Sequence, residues 1–306
     1  MKKIFFLFCF LSSISSFSQI NNYTPHLLIT KHYDWGGNDK VWGLVINNHN
    51  IVLSGTSASS GVVMSVNNNG DSIWAWRGEQ GSSVGYITVL PDSNYLFPYN
   101  TFSKGTEGKI VCISKDGVFL WQKTIGSNKN FLLCNDTINK RIATVGFNTN
   151  LLKILDYQGN QIDSLTLDVN VYNHKNISLN GNSIIVSGLG VGGVNWNVHS
   201  YIAKYHKTNG IWEKTWHNII VDGSDTRHTI DDSGYIYLGT TKLYTYNSFI
   251  VQKITQYGSI EWSKEWVHPD SMLSNYVHDV ILLPDNKGFI TAGNLYFANY
   301  TYTGFI

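Results

Sequence analysis

The sequence predicts an all-β fold, a β-propeller of about six four-stranded blades, and three observations carry that expectation. Aromatic residues make up 14% of the protein and charged residues also only 14%, against roughly 25% charge in an average soluble domain. Runs of Tyr, Trp, Phe, Val, Ile and Thr, all strand formers, are separated by Asn, Gly, Ser and Asp, which form turns. One phrase then recurs throughout: an apolar strand, a tight turn ending in Gly, and a strand carrying Trp.

The sequence opens with Met1-Lys2-Lys3, an apolar run from Ile4 to Leu11, and a Ser-rich stretch ending Ser16-Phe17-Ser18. A basic start, a short apolar stretch and small residues at the cleavage position make a secretory signal peptide over residues 1–18, with the mature protein starting at Gln19. The run is too short to cross a bilayer, which takes about 20 apolar residues. Residues 19–306 are then one propeller domain, and the expected location is outside the cytoplasm: periplasm, outer surface or medium.

The repeat phrase appears as Val63–Trp74, Ile110–Trp121, Ile202–Trp212 and Ile250–Trp262. A fifth copy, Leu151–Gly159, has Asp163 where Trp would fall. The turn glycines Gly70, Gly117, Gly159, Gly210 and Gly258 recur with a period of about 40–50 residues, the length of a propeller blade. A second hairpin precedes each copy, with turns at 48–50, 91–94, 139–140, 180–182, 231–234 and 284–288. Two hairpins per period make one four-stranded sheet. In the outermost strand of the Ile250–Trp262 copy, Ile260, Trp262 and Trp266 are expected on one face. Trp74, Trp121, Trp212 and Trp262 are expected to wedge between neighbouring sheets. The last repeat ends within its third strand, at Thr301–Ile306. Segment 27–35 reads as an outer strand without a blade, so pairing of the two termini would complete a sixth blade. A longer gene product with more blades is the alternative.

With net charge +1 there is no basic stripe for phosphates, and nucleic acid is not an expected partner. Beyond the signal peptide the cysteines are Cys112 and Cys134, either a disulfide in an oxidising compartment or two small buried apolar residues. Gly188–Gly193 satisfies Gly-x-Gly-x-x-Gly, but no helix follows to aim amides at a pyrophosphate, so it reads as a loop between strands. The histidines, including His199, His206, His217 and His228, lack metal-ligand spacing. No cofactor is expected: Asp222–Asp225 and Asp231–Gly234 offer oxygen ligands of the kind calcium takes, but Asp is also a common turn former, and turns are the expected reading. No Gly-x-Ser-x-Gly nucleophile elbow is present.

The Gly-x-x-x-Trp phrase at Gly70–Trp74, Gly117–Trp121 and Gly258–Trp262 resembles the Trp-docking repeat of quinoprotein-like (PQQ-like) propellers. The resemblance covers nearly all of residues 26–306 and implies a propeller whose tryptophans dock on neighbouring blades. The calcium site, catalytic Asp and cofactor-stacking residues of quinoprotein dehydrogenases have no counterpart in this sequence.

Propeller ligands meet the ends of the innermost strands, and alignment of the repeats puts Trp42, Arg227, His228 and His278 there as candidate contacts. The expected function is a non-catalytic binding module of the cell exterior, monomeric, with an extracellular glycan or protein as ligand. The alternative is a hydrolase or lyase acting on extracellular polysaccharide, which an acidic mouth including Asp39, Asp225 and Asp279 would favour.

Overall fold

The computed structural model describes residues 39–47, 49–101, 107–126, 131–146, 149–168, 171–192, 197–220, 223–242, 248–267, 274–283, 289–296 and 302–305. The expected signal peptide, segment 27–35 and the expected pairing of the termini lie outside these residues. Among the described residues no helix is long and apolar enough to cross a membrane.

The protein divides into two compact units, Met1–Ser127 and Asn128–Ile306. In the first, sheet I has the order β1 (Lys40–Asn47), β2 (Asn50–Ser57), β3 (Ser60–Val66), β4 (Ser72–Gln80). Sheet II begins with two short strands, β5 (Ser82–Val84) and β6 (Thr88–Val89), both paired to β7 (Tyr95–Thr101), followed by β8 (Glu107–Ile113) and β9 (Phe119–Gly126).

In the second unit sheet III runs β10 (Phe131–Asp136), β11 (Arg141–Gly146), β12 (Leu151–Asp156), β13 (Gln161–Thr166). Sheet IV runs β14 (Val171–Asn180), β15 (Ser183–Gly192), β16 (Asn197–Thr208), β17 (Ile211–Ile220). Sheet V runs β18 (Gly223–Ile230), β19 (Ile236–Lys242), β20 (Ser248–Ile254), β21 (Ile260–Val267). Sheet VI shows three strands, β22 (Ser274–Leu282), β23 (Phe289–Tyr296) and β24 (Tyr302–Phe305). Every sheet is antiparallel and built from strands that follow one another in sequence, which is the expected blade plan.

Within each unit the sheets stack face to face, because their inner strands are apolar on both sides and need cover on both. Val52 and Val63 of sheet I meet Tyr95, Phe97, Tyr99 and Val111 of sheet II. Ala143, Leu152 and Ile154 of sheet III pack on Ile184, Val186 and Tyr205 of sheet IV. Ile185 and Ile202 then face Leu238 and Ile254 of sheet V. Tyr237 of sheet V meets Val280 of sheet VI.

The outer hairpins of sheets I, II and III share one turn chemistry. The first turn residue lends a side-chain oxygen to the backbone N–H groups two and four residues on. Asn67 Oδ1 accepts from Asn69 and Asp71, Ser114 Oγ from Asp116 and Val118, and Asp156 Oδ1 from Gln158 and Asn160. Turn closure then demands a positive φ, supplied by Gly70 (75°), Gly117 (81°), Gly159 (79°) and Gly258 (89°). The recurring turn glycines are thus placed by backbone geometry.

After each outer turn the register slips by one residue near the Trp position. The pairs Ser65↔Trp74, Cys112↔Trp121, Ile154↔Asp163, Lys204↔Trp216 and Lys253↔Trp262 all adjoin a bulge. Two expectations from the sequence are corrected here. Trp216, and not Trp212, holds the repeat position of sheet IV. A two-residue turn, Asn209-Gly210, lengthens that hairpin, and Trp212, paired with Lys207 next to the turn, still packs between sheets III and IV as expected. Ile260 and Trp262 oppose the adjacent residues Ile254 and Lys253, so they face opposite sides of the sheet.

Candidate functional site

Docking explains the repeated indoles. Trp74 Nε1–H donates to the Lys115 carbonyl at 3.0 Å in the next sheet's turn, and its ring lies over Gly117 and beside Tyr95, with centroids 5.6 Å apart. Trp216 repeats this on sheet V: its N–H reaches the Gln256 carbonyl at 3.0 Å and its ring covers Gly258. A Cβ on either glycine would stand 2.7 Å from the indole. Trp262 stacks on Phe289 of sheet VI at 6.0 Å, and Trp121 is half-buried. Trp76, which the repeat spacing does not single out, packs on Phe97 and Tyr99 at 5.1 and 5.5 Å.

In sheet III the Trp position is Asp163, and the neighbouring sheet supplies the indole instead. Trp212 Nε1–H donates to Asp163 Oδ2 at 2.8 Å and Lys207 Nζ pairs with the same oxygen at 2.6 Å. Two more acids hold sheets III and IV together. Asp136 Oδ2 accepts from Arg141, Asn139 and the Gly181 N–H. Asp168 accepts from Tyr205 and pairs with Lys214 at 2.6 Å. Burial pushes each of these three carboxyls up, but the hydrogen bonds and cations around it outweigh burial and hold it below the ordinary carboxylate value.

The innermost strands carry bulges of their own. In β1 the slip between Val41 and Gly43 leaves Trp42 out of the ladder. In β14 the slips are at Tyr172 and Lys175, in β18 the slip is at Asp225, and in β22 at His278. Trp42 is 48% exposed, with Lys40 Nζ 5.7 Å from its ring centroid. Arg227 is half-buried and donates from Nη1 to the Lys175 carbonyl on the adjacent sheet. The His278 and Asp225 side chains lie outside the described residues. Asp39 is half-buried ahead of β1, and Asp279 is exposed, with Oδ1 accepting the Val280 N–H.

His228 is 3% exposed, between sheets IV and V. Its Nδ1 contacts Ser187 Oγ at 2.8 Å and its Nε2 contacts Ser178 Oγ at 3.0 Å, so neither ring nitrogen faces a ligand. Burial is the main cause that holds it neutral, with a pKa lowered to about 3, and the Arg227 charge adds to it. His174 plays the same part between sheets III and IV. Its Nε2–H donates to the Thr149 carbonyl at 2.9 Å and its Nδ1 accepts from Tyr201 at 2.6 Å; burial lowers its pKa to about 4. The serine partners of His228 lie 41 and 50 residues away in sequence, and no local signal marks them.

The remaining motifs take structural places. Gly188–Gly192 continues strand β15, paired with Tyr201 to Asn197, where the sequence suggested a loop. Asp231 Oδ1 accepts the Ser233 and Tyr235 N–H groups, which is turn capping. Cys112 and Cys134 are free, and burial pushes both thiols up to about 12. No group of three or more potential metal ligands occurs among the described residues.

No family model matches the protein, and no curated protein matches it in sequence. Solved structures do resemble it. Kuenenia stuttgartiensis hydrazine synthase aligns with a TM-score of 0.62 at 11% identity, over 86% of this protein and 80% of that one. The β-propeller domain of Myceliophteria thermophila Cps50 (Swd1) gives 0.58 at 10% identity, over 90% and 85%. A putative 6-phosphogluconolactonase from Bacteroides fragilis gives 0.54 at 17% identity, over 80% and 74%. Together with the successive antiparallel sheets, these neighbours place the protein in the β-propeller fold class.

Proposed function

We propose that the protein is a secreted, non-catalytic binding module of the cell exterior whose ligand is an extracellular glycan or protein. The observation that carries this reading is Trp42: a half-exposed indole, lifted from the innermost strand by a bulge and flanked by Lys40. Bulges re-aim side chains at functional sites, and an exposed Trp offers a flat apolar face with a polar edge. The state of the three acids that join sheets III and IV is in keeping with it. A glycosidase general acid needs a raised pKa, whereas Asp136, Asp163 and Asp168 are all held low by structural partners. Glycan and protein arrays probed with the mature protein test the reading. Binding that Trp42→Ala removes, with an unchanged unfolding midpoint, is the expected result; blank arrays overturn it.

The second reading, a polysaccharide-active hydrolase or lyase, draws on the lactonase name of the Bacteroides fragilis neighbour. Release of reducing ends or unsaturated products from a polysaccharide panel would favour it over simple binding.

A further inference from the structure

We propose that Asn209 is a site of spontaneous covalent modification, deamidating through a cyclic imide while the other described Asn–Gly peptides are held intact. Three such peptides are described: Asn69–Gly70, Asn180–Gly181 and Asn209–Gly210. In sequence they are equivalent, because a glycine without Cβ lets its nitrogen approach the preceding side group in each.

The structure separates them. The Gly70 N–H donates to the Asn67 carbonyl at 2.9 Å, and the Gly181 N–H to Asp136 Oδ2 at 3.2 Å. The chemically related Asp116–Gly117 peptide is held the same way, by the Gly117 N–H on the Ser114 carbonyl at 3.0 Å. Gly210 is the second residue of a two-residue turn closed by the Thr208↔Ile211 pair. In such a turn the ladder bonds belong to the flanking residues. No hydrogen bond from the Gly210 N–H occurs among the described residues. Asn69, Asn180 and Asn209 are all exposed, and a Cβ built on Gly181 or on Gly210 finds nothing within 4 Å, so the bonding of the glycine N–H is what sets Asn209 apart.

The chemistry requires only water. Hydroxide takes the Gly210 amide proton, and the nitrogen attacks Asn209 Cγ. The new bond from nitrogen to Cγ forms as the Cγ–Nδ2 bond of Asn209 breaks and ammonia leaves. Water then opens the imide at either carbonyl, giving aspartate or isoaspartate, the latter with its backbone routed through Cγ. Either product places a carboxylate two residues from Lys207, at the tip of the hairpin that carries Lys207 and Trp212 to Asp163.

The test is peptide mapping by mass spectrometry after incubating the native protein at mildly alkaline pH. The expected result is an amide-to-acid mass gain and an isoaspartyl peptide at Asn209, with the Asn69 and Asn180 peptides unchanged over the same interval. The Asn209→Gln variant should stay at its starting mass. Conversion of Asn69 or Asn180 at the same rate overturns the proposal. So does a native protein intact at Asn209 under conditions in which the urea-unfolded protein converts there.

Discussion

At the residue scale, two histidines set how stability depends on pH. His228 and His174 have folded values of about 3 and about 4, against an ordinary 6.5. The unfolded state therefore binds more protons below pH 6.5, and stability falls as the pH drops. Each buried neutral histidine contributes a slope of about 1.4 kcal/mol per pH unit between its two values. The carboxyls of Asp136, Asp163 and Asp168 are held low in the folded state and add to the slope only where their unfolded counterparts take up protons, below about pH 5, so the window from pH 6.5 to about 5 isolates the histidines from them. Urea unfolding across that window should show stability declining towards acid, and His228→Gln should flatten the decline. An unchanged slope in the variant would mean that the ring is protonated in the folded state. The sequence placed His228 among ligand contacts because it aligned with inner-strand ends. Its serine partners come from another sheet, and only three-dimensional packing reveals that the ring is enclosed.

At the element scale, the docking of an outer-strand indole on the next turn is the unit that joins sheets. Trp74 and Gly117 form one such pair, and the close approach ties the glycine to the indole as well as to its own φ of 81°. Trp74→Ala should cost about 3 kcal/mol, as truncation of a packed aromatic does. Gly117→Ala in the native background meets both backbone strain and the ring. In the Trp74→Ala background only the strain of a left-handed alanine remains, about 1–2 kcal/mol. A double-mutant cycle in urea should therefore show the second substitution costing less once the first is made; strict additivity would mean that ring and turn do not touch. The Gly-x-x-x-Trp spacing was legible for sheets I, II and V because their turns have equal length. Sheet IV closes with a two-residue turn, which moves the docking residue from Trp212 to Trp216, and turn length is set by backbone φ that residue spacing does not encode. Asp163, read as a gap in the repeat, is where the following sheet's Trp212 and Lys207 converge. Asp163→Asn keeps an acceptor for the indole and loses the ion pair. At this partly exposed site that should cost no more than about 1 kcal/mol, whereas Asp163→Leu leaves both partners unmatched and should cost more. Equal unfolding midpoints for the two variants would remove the indole bond from the account.

At the scale of the whole molecule, the period of about 40–50 residues made the six successive sheets readable, since each sheet is local in sequence and needs only its own two hairpins. A ligand site is not local: it draws single residues such as Trp42 or Arg227 from the ends of separate inner strands, and nothing in the sequence links one to another. The functional reading depends instead on compartment, and that rests on residues 1–18. Lys2-Lys3, the apolar run from Ile4 and the small residues at Ser16 and Ser18 make cleavage after Ser18 the expected processing event. Expression of the full-length protein in a Gram-negative host, followed by fractionation and mass measurement, checks it. The exported protein should begin at Gln19, and a blocked site, Ser16→Leu with Ser18→Leu, should accumulate with its leader attached. A full-length product recovered from the cytosol with Met1 or Lys2 at its start would remove export. An extracellular glycan or protein would then lose its claim as ligand, even with every sheet in place.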